Sequence, residues 1–107
     1  MPASPLPRFP LPGASDPVVA VPAPGRGHGF WAGSPGAALA DDGGVVLAYR
    51  VRTGTAPEDG AQTVVARSDD GETFTTVATL DKSRFGAMSM ERPALARADD
   101  GRWRLYV

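Results

Sequence analysis

Cysteine is absent from the 107-residue chain, so disulfides and thiolate chemistry are excluded, and the redox compartment stays open. His28 is the only histidine, and one histidine without cysteine cannot build a zinc site of the usual kind, so no metal and no cofactor is expected. Lys82 is the only lysine, and positive charge is otherwise carried by arginine. Twelve acids stand against 11 bases, a net charge of −1, and that balance points away from nucleic acid and from acidic membrane surfaces as partners. No apolar run approaches the roughly 18 residues of a membrane-crossing helix. The first residues lack the basic start and apolar core of a signal peptide, so the cytoplasm is the expected location.

What the chain has in quantity is proline and glycine, and both are unevenly placed. Eight prolines punctuate Met1 to Pro24, removing backbone donors and fixing φ, so neither helix nor central strand is expected there. Residues 1–27 are therefore read as an extended Pro/Gly-rich tail, with Val18-Val19-Ala20-Val21 its one candidate strand. Gly25 to Gly33 follows as a flexible glycine loop. Within it His28, Phe30 and Trp31 are candidate ligand contacts or, alternatively, surface and packing residues.

Beyond residue 28 the chain is punctuated by a tripeptide. Asp-Asp-Gly occurs at Asp41-Asp42-Gly43, Asp69-Asp70-Gly71 and Asp99-Asp100-Gly101, each followed by a run rich in β-forming residues. Asp-Gly between apolar runs marks a hairpin, because the turn needs φ > 0 and glycine adopts it without steric cost. The first and third copies share flanks 58 residues apart: Pro35 with Pro93, Gly43 with Gly101, Leu47 with Leu105. Six strands are expected. They are Pro35–Ala40, Val45–Arg52, Gln62–Arg67, Thr73–Leu80, a strand begun within Met88–Ala96, and Arg102–Val107. In the second, Tyr49 and Val51 alternate with Arg50 and Arg52, which places the arginines together on the other face. The expected fold is all-β: an antiparallel four-stranded meander over 28–81 and the start of a second unit over 88–107. Two hairpins per repeat is the pattern of a four-stranded propeller blade, so the whole is about one and a half blades. That count suggests a piece of a longer protein or a truncated reading frame; a small self-contained β domain is the alternative.

Two sets of residues carry the resemblance to known proteins. Ser68-Asp69-Asp70-Gly71-Glu72-Thr73-Phe74 resembles a shortened Asp-box of sialidases, in which Ser68, Asp70, Gly71 and Phe74 would build a structural turn. Trp31-Ala32-Gly33-Ser34-Pro35, Tyr49-Arg50-Val51-Arg52, Ser89-Met90-Glu91-Arg92-Pro93 and Asp100-Gly101-Arg102-Trp103 together resemble the N-terminal blades of five-bladed glycoside hydrolase-like propellers, the arabinanase, fructosidase and mannoside-phosphorylase type. The resemblance implies a carbohydrate substrate and carboxylates that reach an axial pocket from the inner strands, acting as acid and as base or nucleophile. On it Glu91 is the first catalytic candidate and Asp16 the second; His28, Trp31, Arg50 and Arg92 are the substrate-binding candidates. A six-bladed sialidase-like enzyme and a non-catalytic glycan- or protein-binding scaffold are the alternatives. Residues 1–107 by themselves are expected to be inactive.

Overall fold

The computed structural model describes residue 13 and residues 16–107. The expectations for Met1–Pro12, and so for most of the proline-rich tail, lie outside the described residues. Strands β1 (Phe30–Leu39), β2 (Val45–Thr53), β3 (Gln62–Ser68) and β4 (Thr75–Asp81) form one antiparallel sheet in sequential order. Strands β5 (Ala94–Arg97) and β6 (Trp103–Tyr106) form a separate two-stranded sheet. The fold is all-β, a four-stranded meander followed by a hairpin, with short 3₁₀ turns at Pro57–Asp59 and Lys82–Phe85.

The three Asp-Asp-Gly segments all place their glycine at positive φ, 85° at Gly43, 79° at Gly71 and 82° at Gly101. The first and third have the same hydrogen bonds. Gly43 N–H donates to Ala40 C=O (3.0 Å) and Gly101 N–H to Ala98 C=O (2.9 Å). Ala40 N–H donates to Gly44 C=O and Ala98 N–H to Arg102 C=O, both at 2.8 Å. Asp42 accepts from Gly44 N–H and Asp100 from Arg102 N–H, both at 3.0 Å. The strand register carries the same offset: Ala37 pairs with Leu47 as Leu95 pairs with Leu105, and Leu39 with Val45 as Arg97 with Trp103. The 58-residue repeat is therefore a repeat of backbone geometry.

The strand ends differ from expectation in instructive ways. β1 begins at Phe30, inside the presumed glycine loop, because Phe30 to Gly33 continue the ladder against Arg50 to Thr53. The register then shifts between Gly33 and Gly36, where Ser34 sits at φ 50° and Pro35 has no N–H to offer the ladder. One bulged strand replaces a loop and a short strand. Thr73 and Phe74 belong to the turn before β4 rather than to the strand, and β5 is held to Ala94–Arg97, with 88–93 irregular.

Both faces of the meander are apolar near the first hairpin. On one, Tyr49, Val64 and Ala66 are buried and Val21, Ala32, Leu47, Val51 and Phe74 pack around them. Burying side chains of this size contributes about 1.5–3 kcal/mol each. On the other, Val46, Val65 and Val77 confront Leu95, Trp103 and Leu105 of the β5–β6 hairpin across a narrow groove. Two-sided burial is why Val45-Val46-Leu47-Ala48 is continuously apolar. β4 is the exposed edge of the sheet, and only Leu80 in it is partly buried.

Candidate functional site

Alternation on β2 turns Tyr49 into the core, 8% exposed, and sends Arg50 to the opposite face. There the Arg50 side chain is 11% exposed and meets residues from two distant segments. Its Nη1 lies 3.2 Å from Glu91 Oε2, and its Nη2 donates to Ser89 Oγ (2.9 Å) and to Glu91 Oε1 (3.3 Å). The guanidinium carbon stands 5.7 Å from the centre of the Trp31 ring, within cation–π range. A Cβ at position 60 would displace Arg50 Nη2 and Ser89 Oγ, so glycine leaves room for this pairing.

The segment that carries Ser89 and Glu91 is anchored independently of Arg50. Met90, 3% exposed, donates its N–H to Gly60 C=O at 2.6 Å, and Lys82 Nζ reaches both Glu58 C=O and Met88 C=O. The sole lysine thus ties the 3₁₀ turn at 57–59 to the chain that leads into β5. The segment bearing Ser89 and Glu91 is thus held by backbone bonds beside Arg50, which orders these polar groups before any ligand arrives.

Beside the cluster lies an open hollow of about 450 Å³ lined by His28, Gly29, Trp31, Arg50, Arg52, Gly54 and Thr55. Arg52 Nε donates to Gly54 C=O (3.3 Å) and its Nη2 to Ala56 C=O, so the arginine shapes the loop that forms one wall. Gly54 N–H closes the same wall against Gly29 C=O at 3.1 Å.

Of the residues expected to bind or react, Trp31, Arg50 and Glu91 come together, and His28 shares the wall of the hollow with Trp31 and Arg50, whereas Glu91 does not line it. Arg92 does not hold Glu91; Arg50 does, and Arg92 is exposed with no hydrogen bond among the described residues. Asp16 is exposed and bonds to none of the described residues, and Val21, five positions on, packs on the face of the sheet opposite Arg50. Glu91 is thus the one carboxylate bonded into the cluster among the described residues. Arg52 and Ser89 are additions that sequence reasoning missed. For Arg52 the signal was present, since strand alternation already put it on the face of Arg50.

The Asp-box-like turn lies at the other end of β3. Ser68 Oγ accepts from the N–H groups of Asp70 (3.2 Å) and Gly71 (2.8 Å) and donates to Asp70 Oδ1 (2.8 Å). Asp70 Oδ1 in turn accepts from the N–H groups of Glu72 and Thr73, both at 2.8 Å. These bonds, Thr73 first, pull the Asp70 carboxyl down from 3.8 to about 2. Phe74 leaves the turn to join the core. Ser68, Asp70, Gly71 and Phe74 therefore make a structural turn. At the first turn the Asp42 carboxyl is also lowered, chiefly by its bond from the Arg67 guanidinium.

Comparison with protein-family models, with curated proteins and with solved structures gives no match for this chain.

Proposed function

We propose that the chain is part of a five-bladed, glycoside hydrolase-like propeller and meets carbohydrate at the Trp31–Arg50–Glu91 cluster. The observation that carries this reading is the cluster itself. A nearly buried guanidinium is fixed between an aromatic face, a hydroxyl and a solvent-facing carboxylate, at the place where the first sheet meets the segment leading into the second. Aromatic rings offer the flat apolar faces of a sugar a surface, and charged groups give its hydroxyls strong hydrogen bonds. The 58-residue repeat of turn and register supports the blade reading, since repeated hairpins of one geometry are what a propeller is made of.

Acid/base cleavage of a glycosidic bond uses two carboxylates, about 5–9.5 Å apart depending on stereochemistry. With Glu91 alone, binding is expected and turnover is not. This same observation favours a second reading, a glycan-binding scaffold with no catalytic role.

The test is calorimetric titration of the full chain with arabino-, fructo- and manno-oligosaccharides, alongside the Trp31→Ala and Glu91→Gln variants. Saturable binding of one class, weakened at least about tenfold in either variant, is the expected result. Absence of binding throughout the panel, or undiminished binding by both variants, would refute the reading. Release of reducing ends by the wild-type chain would exclude the scaffold.

A further inference from the structure

The charge of the hollow beside the cluster narrows the class of sugar, on the premise that this site binds carbohydrate. Every side chain on its wall is neutral or cationic: His28, Trp31, Arg50, Arg52 and Thr55. Arg50 is offset by Glu91. Arg52 is not: its Nε and Nη2 are given to the carbonyls of Gly54 and Ala56, which orient a guanidinium without cancelling its charge. Asp59 of the same loop spends Oδ2 on the Ala56 N–H (2.9 Å), close beside Gly54, and forms no ion pair with Arg52. Arg52 therefore presents an oriented guanidinium to the hollow with no carboxylate in direct ion-pair contact among the described residues, and its Nη1 has no hydrogen-bond partner among them. A guanidinium fork matches a carboxylate in geometry and sign better than it matches a hydroxyl.

We propose that the hollow receives an acidic sugar, a uronic acid of a glycan chain, with its carboxylate on Arg52 and its ring against Trp31. A neutral sugar in the same place leaves the Arg52 charge facing hydroxyls alone. The hollow is within the usual size range of ligand sites, and its openness to solvent lets a chain continue beyond the bound unit.

The experiment compares trigalacturonate with neutral galactotriose, titrated into the full chain at 50 and 300 mM salt. Arg52→Gln is run in parallel, because its amide retains donors for the loop carbonyls while removing the charge. Trigalacturonate is expected to bind about tenfold more tightly than galactotriose at low salt. That preference should shrink at high salt and vanish in Arg52→Gln. Equal affinity for the two sugars would overturn the acidic-sugar proposal and leave the carbohydrate reading standing. So would a preference that survives in Arg52→Gln with wild-type thermal stability. Failure of both sugars, together with the neutral oligosaccharides above, would overturn both.

Discussion

Asp70 shows how much one side chain can decide locally. Its carboxylate gathers two backbone N–H groups and the Ser68 hydroxyl, and these hold it at about 2 against a usual 3.8. A folded value below the unfolded one means the stabilisation is complete above about pH 4 and is lost as pH falls toward 2. Asp42 and Asp81 are lowered too, so their contributions fade in the same direction. The thermal midpoint should therefore hold steady from pH 7 to about pH 4 and then fall. Asp70→Asn should lower the midpoint at pH 7 and make the acid decline shallower; an unchanged decline in that variant would contradict the assignment. The role of Asp70 was legible in the sequence because its partners lie within three residues. The Arg50–Glu91 pair was not, because 41 residues separate its members and no local pattern signals which arginine a carboxylate will meet. Sequence adjacency favoured Arg92; the fold brought Arg50.

At the scale of elements, alternation and turn chemistry located all six strands, and the errors fell at their ends, the largest where small residues blur both signals. β1 carries Gly33, Ser34, Pro35 and Gly36 in its middle, a string that reads as loop until its pairing with β2 is known. Gly36 is small for a reason. A Cβ at that position would stand 3.1 Å from Pro93 C=O and 3.8 Å from Ala94 Cα, so the bare backbone lets β1 approach the entry to β5. Gly36→Val should cost about 1–3 kcal/mol through overpacking, which outweighs the gain in strand propensity, less than about 1 kcal/mol. Urea unfolding would show this as a lower midpoint. A midpoint equal to or above wild type would mean that the two strands part without penalty.

For the molecule as a whole, the question is what joins the meander to the hairpin. Besides the apolar faces, two ion pairs cross between them: Arg50 with Glu91, and Arg97 with Asp41 at 2.6 Å. The second is largely exposed and weak for that reason. The first involves a nearly buried guanidinium that would lose its charge partner if Glu91 were truncated. Glu91→Ala should therefore speed hydrogen exchange in β5 and β6, on the order of tenfold, while leaving the amides of β3 unaltered. Equal acceleration in both sheets would indicate global destabilisation instead, and no change would show that the apolar faces suffice.

The matching turns also give the chain a natural step length. Ala40 and Ala98 enter turns with the same bonds, and the strands around them pair in the same register. A recombination that removed 58 residues between these points would rejoin β1 to a turn and a return strand that already fit it. A duplication of the same length would add one more unit in phase. A change by any odd number of residues within a strand would instead turn every later side chain of that strand to the wrong face. The gene for such a chain can gain or lose material in this one increment and still encode closed ladders.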